Sequence, residues 1–201
     1  MANRKFKLGH GLLGSFQIPL LILVGLVAIL AIHERPLFYG MLVAALGEAI
    51  QVWSASHLHK DKNLASSGPY AYVRNPMYFG RFFVGLGITL MTHNPWVIGV
   101  YVAGFVLYVV MRVGGEEARL RKLLGQPYID YCADVPRFFP RFTPYPKSSR
   151  ARATWESFTR NHEYRNVIGL LVMFAILCVR IEYYGNITLT VIVRRLVRML
   201  F

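Results

Sequence analysis

Two stretches of the chain carry residues whose types and spacing could hold a small charged molecule. The first runs from Ser66 through Gly68, Tyr70, Tyr72, Arg74, Asn75, Pro76 and Tyr78 to Gly80. Asn75 followed by Pro76 is the pattern of an N-cap with proline at the first helical position, so a helix is predicted to start there. A helix start presents free N–H groups and a partial positive charge, which suit a carboxylate or phosphate. Arg74 adds a permanent cation with a planar fork of donors. The same residues also fit a capped membrane span with an interfacial arginine and an aromatic belt of Tyr70, Tyr72 and Tyr78.

The second stretch contains Arg112, Gly114, Gly115, Glu116, Glu117, Arg119 and Arg121, then Gly125, Tyr128, Tyr131 and Arg137 to Pro140. Arg112 reads as the basic end of a helix and the glycine pair as a bend after it. The adjacent carboxylates admit two readings. They can form surface pairs, Glu117 with Arg121 and Glu116 with Arg119, contributing about 0.2–0.5 kcal/mol each. Alternatively, one turns toward a bound cation or ribose while the other pairs with an arginine. Apart from these stretches, Glu48 sits inside an apolar segment, where a charge costs roughly 2.5–3.5 kcal/mol and needs a partner. It lies about 12 Å from the end of that segment, Arg81 lies at similar depth in the next, and a Glu48–Arg81 pair with Gln51 one turn away is expected. His57 and His59, with Asp61, do not make a convincing metal site, because residues two apart point to different faces of a helix. No Ser-His-Asp elbow, phosphate-binding glycine loop or dinucleotide fingerprint is present.

The elements that must position these groups are membrane helices. Of 201 residues, 55% are apolar and 16% charged, against about 25% charged in soluble domains, which excludes a disordered chain, a coiled coil or an ordinary water-soluble domain. Spans are predicted at Leu12–Ile32, Leu37–Ser56, Met77–Thr92 and Pro95–Val113, paired into two hairpins by the turns His33–Pro36 and Thr92–Pro95. A fifth, weaker span falls at Val167–Val179, short for a crossing unless Arg180 snorkels. The net charge of +13 is unevenly spread: three Lys or Arg precede the first span, three lie between the second and third, and eleven fall from Arg112 to Arg165. The positive-inside rule then puts the N-terminus and both chemical stretches on the cytoplasmic side. In a membrane protein this excess faces anionic lipid rather than nucleic acid. Ile187–Phe201 reads as an amphipathic interfacial helix, and Pro136–Arg152 as a surface connector. The two cysteines, Cys132 and Cys178, do not make a disulfide framework.

Together, Gly68-Pro-Tyr-Ala-Tyr-Val-Arg-Asn-Pro-Met-Tyr-Phe-Gly80 and the later Arg112, Glu116-Glu117, Gly125-x-x-Tyr128-x-x-Tyr131 and Arg137-Phe-x-Pro140 resemble the isoprenylcysteine carboxyl methyltransferase family, within a wider group that includes phospholipid methyltransferases. The resemblance covers about residues 57–141. In that family the first motif usually has histidine before the proline; Asn75 stands there in this chain, and it can donate a hydrogen bond but cannot carry a proton. The resemblance implies an all-α, polytopic membrane bundle of about five transmembrane helices with a cytoplasmic-face pocket for S-adenosylmethionine. It implies a core over residues 1–150 and a helical extension over 151–201. Tyr70, Arg74, Asn75, Pro76, Tyr78, Gly80, Glu116 and Glu117 would bind the cofactor. Arg112 and Arg137 would order carboxylates or the acceptor, and Glu117 would be the nearest base for an amine acceptor. A lipid-like carboxylate or amine would enter laterally from the bilayer. The competing expectations are an NADPH-dependent, sterol-reductase-like enzyme and a basic lipid-binding protein without catalysis.

Overall fold

Glycines seven residues apart on two successive apolar segments decide how the helices assemble. The computed structural model describes residues 34–58, 64–180 and 182. The expected span Leu12–Ile32, His59, Asp61 and the expected interfacial helix Ile187–Phe201 lie outside the described residues. Helix α1 (Glu34–His57) runs toward the end of the molecule where the two chemical stretches meet, and α2 (Pro76–Leu90) runs back from it. A Cβ on Gly47 would come within 2.6 Å of the Gly80 carbonyl oxygen, and one on Gly87 within 2.5 Å of the Gly40 carbonyl oxygen. The two backbones therefore touch at Gly40–Gly87 and Gly47–Gly80. Such close approach replaces the hydrophobic effect as the source of helix association inside a bilayer.

A tight turn containing His93 in the left-handed region (φ 50°) leads into α3, Pro95–Leu124. Asn94 caps this helix conventionally, its side-chain oxygen accepting from the Trp96 N–H at 2.9 Å. The sequence predicts an end near Val113 and a bend at Gly114–Gly115, but α3 continues unbroken through both glycines. Both positions are exposed, with nothing within 4 Å of where a Cβ would be, so no neighbour pulls the helix aside there. Two glycines in a helix cost about 1 kcal/mol each relative to alanine, which 30 residues of continuous hydrogen bonding sustain. The extra length has a consequence. Glu116 sits 21 residues after Pro95, about 32 Å along the axis, just past a hydrocarbon core about 30 Å thick.

Helices α1, over Leu37–His57, and α3 are long and apolar enough to cross a membrane. Leu42 and Leu46 on α1, and Val100, Leu107, Val110 and Met111 on α3, are exposed, as lipid-facing residues should be. Beyond α3, a glycine with φ 63° (Gly125) breaks into the short α4, Gln126–Asp134. The chain after residue 150 then packs back on α1 through α5 (Trp155–Arg160) and a final described helix, α6, over residues 164–180. Asn161 donates its amide to the carbonyls of Ala55 and Leu58, at 3.0 and 3.1 Å, closing the C-terminus of α1. Phe174 and Leu177 of α6 complete an apolar cluster with Ala44, Ile88 and Met91.

Because the α1–α2 seam has no room for a methyl group, Gly47→Ala and Gly87→Ala should each lower stability by about 1–3 kcal/mol. Gly104→Ala, with nothing within 4 Å, should be neutral or slightly stabilising. Thermal unfolding of the three variants in detergent micelles checks the contrast.

Candidate active site

The same dipeptide, Asn-Pro, starts both α2 and α3, yet the two asparagines do different things. Asn94 caps its own helix; Asn75 stands at the N-cap position of α2 without a capping hydrogen bond. Its amide is directed across the molecule, donating to Glu117 Oε1 at 3.4 Å and to the Arg137 carbonyl at 3.3 Å. This corrects the expectation of a simple cap. Donating its NH2 to the charged carboxylate brought in by α3 turns the amide away from the N–H groups of the helix start.

Glu117 is the hub of this end of the protein. It is 3% exposed, and Arg137 approaches it in two-pronged fashion, Nη2 to Oε2 at 2.5 Å and Nε to Oε1 at 3.1 Å. Arg74 Nη1 lies 3.5 Å from Oε1. The surface pairs expected from local spacing, Glu117 with Arg121 and Glu116 with Arg119, are absent among the described residues: Glu117 is taken by Arg74 and Arg137, and Glu116 by the Tyr78 hydroxyl. Donating these hydrogen bonds to Glu117 raises the Arg137 guanidinium above its ordinary value. Glu116, the neighbouring carboxylate, is exposed and accepts from the Tyr78 hydroxyl at 3.1 Å. Tyr78 in turn packs with Val109 and Val113, tying α2 to α3.

The third wall is the tail after α4, laced to the loop before α2 by main-chain hydrogen bonds. Arg74 N–H donates to the Pro136 carbonyl at 2.9 Å, Arg141 N–H to Tyr72 at 3.0 Å and Tyr145 N–H to Ala71 at 2.9 Å. Underneath, the Tyr131 hydroxyl donates to the Tyr70 carbonyl at 2.6 Å inside a cluster of Ala71, Tyr128, Tyr131, Val135 and Tyr145. Burial, and then the Glu116 carboxylate, push the Tyr70 phenol above its ordinary range, so it stays protonated.

The structure thus brings Arg74, Asn75, Tyr78, Glu116, Glu117 and Arg137 into one cup and encloses Tyr70 behind it. Other expected site residues fall elsewhere. Pro76 is wholly buried and starts α2. Gly80 faces away from the cup, packed against Gln51 and the Gly47 carbonyl. Arg112 stands one turn before Glu116, inside α3 rather than at a helix end, and forms no ion pair among the described residues. The expected Glu48–Arg81 pair also does not form. Gln51 Nε2 donates to Glu48 Oε2 at 3.0 Å, while the Arg81 guanidinium lies over the Tyr78 ring, 5.4 Å from its centroid. A long cationic side chain inside a span reaches back toward the polar end, and Tyr78, one turn nearer the cup, intercepts it.

The charge pattern can hold a small zwitterion. The Nε of Arg74 is buried without a hydrogen-bond partner, and the Arg137 side chain is still 44% exposed, so both guanidinia keep donors for an anionic group. The exposed Glu116 supplies an acceptor for a cation or a sugar hydroxyl.

The profile of the phospholipid methyltransferase family matches residues 19–127. The cobalt-zinc-cadmium resistance protein CzcN of Cupriavidus metallidurans is 31% identical over 128 residues, 61% of this chain and 57% of that one. The protein-S-isoprenylcysteine O-methyltransferase of Tribolium castaneum is 29% identical over 118 residues, 53% of this chain and 42% of the relative. The chain therefore spans about half the length of the curated relatives it matches. The solved structure of the eukaryotic intramembrane Ras methyltransferase ICMT aligns with a TM-score of 0.51 at 26% identity, covering 61% of this chain and 52% of that one.

Glu117→Gln keeps the volume of the hub but removes the charge that holds two arginines. The expected loss of stability is about 1–3 kcal/mol, the cost of leaving charged partners poorly satisfied. Arg137→Lys should lose part of it, since an ammonium cannot make the two-pronged contact. Chemical denaturation of both variants in micelles gives the comparison.

Proposed function

This chain belongs to the phospholipid methyltransferase family, and we propose that it transfers the methyl group of S-adenosylmethionine to a lipid-like acceptor at the cytoplasmic face of a membrane. The observation that carries the reading is the convergence of the Asn75 helix start and the Glu116–Glu117 turn of α3 into one polar cup, joined by the Asn75–Glu117 hydrogen bond at 3.4 Å. The similarity to intramembrane methyltransferases and the concentration of Lys and Arg on this side of the spans support it.

The donor and acceptor inventory fits the cofactor. Arg74 and Arg137 would hold its carboxylate, and Glu116, ordered by Tyr78, its ammonium or ribose hydroxyls. Glu117, already ion-paired to both arginines, acts as a positioning residue that aims them. Arg112, a turn deeper on α3, is placed to meet the polar end of an acceptor. When bound, the cofactor supplies an activated sulfonium methyl. The protein's own task is then to hold the acceptor atom in line at near-attack distance and to keep water out. Tyr70 and Tyr131 close the cup from below, and the lipid-facing helices leave a lateral approach from the bilayer.

Titration of the purified chain with S-adenosylhomocysteine and with NADPH tests the proposal. Micromolar binding of the first is expected, weakened at least about tenfold in Arg74→Ala and Glu116→Ala, about 1.4 kcal/mol or more. Binding of NADPH instead would favour a reductase, and binding of neither, or binding indifferent to both substitutions, would remove the assignment.

A further inference from the structure

The tail from Val135 to Trp155 carries charge of one sign only. Five of its residues are Lys or Arg, and none is Asp or Glu. Arg137 is taken by Glu117, and Arg141 donates to the Asp134 carbonyl at 3.0 Å and to the Thr143 hydroxyl at 3.1 Å. Lys147, Arg150 and Arg152 are exposed and form no ion pair among the described residues. Large apolar rings stand out of the same stretch. Phe138 packs inward against the cluster of Tyr78, Val109 and Val113, whereas Phe139 is 82%, Phe142 102% and Trp155 76% exposed. Rings left outside the fold beside such cations mark a surface that something else covers.

The hydrogen bonds of the tail give its level relative to the bilayer. Tyr145 N–H donates to the Ala71 carbonyl at 2.9 Å, Ser149 N–H to the Ser66 hydroxyl at 3.0 Å, and Thr154 N–H to the Ser56 carbonyl at 3.0 Å. These partners stand at the polar ends of the helices, shortly before α2 starts at Pro76 and one residue before α1 ends at His57. Trp53, one turn before that end, is 46% exposed, as suits the headgroup level that tryptophan favours. Trp155, next to Thr154, is therefore within about one turn, roughly 5 Å, of the depth of Trp53. The backbone of residues 136–154 is irregular, so it cannot enter hydrocarbon and stays in the headgroup layer. A soluble acidic partner would answer the cations but not the rings at this depth. Anionic phospholipid answers both.

We infer that residues 139–155 form a docking surface for anionic phospholipid, with Phe139, Phe142 and Trp155 set at the boundary of headgroups and acyl chains and Lys147, Arg150 and Arg152 against phosphates of the same leaflet. The inference does not depend on the methyl-transfer reading. The surface borders the cup, since Phe139 follows Arg137 by two residues, and lipid held there steadies the segment that carries Arg137 to Glu117. Recognition is by headgroup charge, which sets this surface apart from the apolar, lipid-facing sides of α1 and α3.

Trp53→Phe and Trp96→Phe leave Trp155 as the sole indole of the chain. That full-length protein can be reconstituted in phosphatidylcholine bilayers holding about one third phosphatidylglycerol, with brominated acyl chains on one lipid or on the other. Trp155 fluorescence should be quenched in both, and the ratio of quenching should report at least about threefold enrichment of phosphatidylglycerol beside it. Salt at about 1 M, where the Debye length falls to about 3 Å, should bring the ratio close to one. Lys147→Gln, Arg150→Gln and Arg152→Gln together should do the same at low salt. Arg119→Gln, Arg121→Gln and Lys122→Gln, which remove equal charge from the exposed end of α3, should leave the ratio unchanged. Absence of quenching by either lipid puts Trp155 in water and overturns the inference. Equal quenching by the two lipids overturns it as well. So does an equal loss in the α3 triple variant, because the lipid is then drawn by net charge and not by this surface.

Discussion

A single buried carboxylate, Glu117, organises the end of this protein where the two chemical stretches meet. Its two oxygens gather three groups from two separate parts of the chain: Arg74 and Asn75 at the start of α2, and Arg137 from the tail. A charge this far from water is tolerable only with several charge-assisted partners, and removing any one leaves the others badly satisfied. The need to satisfy Glu117 therefore ties α2, α3 and the tail into one object. It also keeps two guanidinia aimed at the same small volume.

Everything else in the fold serves to deliver those groups to one place. The glycine contacts between α1 and α2 fix where the first motif emerges. The length of α3 decides how far beyond the hydrocarbon core its carboxylates stand. The laced backbone of residues 136–145 against 71–74 then folds Arg137 over the top. Deeper in the bundle, Glu48 on α1 and Glu163 before α6 are buried as well, each held by one amide donor.

Much of this was legible in the sequence, and for a physical reason. Helix starts at Pro76 and Pro95 follow from proline and its preceding residue, and the apolar runs have a length dictated by the bilayer. The convergence of the two motifs was legible only as a resemblance, since nothing in local spacing links residues 42 and 62 positions apart. What escaped was set by such distant partners. The amide of Asn75 leaves its own helix for Glu117, Arg81 turns to Tyr78 instead of Glu48, and α3 runs straight through Gly114 and Gly115 because nothing packs there to bend it. The seven-residue glycine spacing was present in the sequence, but it gains meaning only when the two helices are known to be antiparallel neighbours.

The most direct test of the central claim is to locate the methyl donor on the chain. Ultraviolet cross-linking of the full-length protein with methyl-labelled S-adenosylmethionine, followed by peptide mapping, should place the label within residues 70–81 or 112–137. Label confined to α5, α6 or the α2–α3 turn, competed equally well by unlabelled cofactor, would contradict the account.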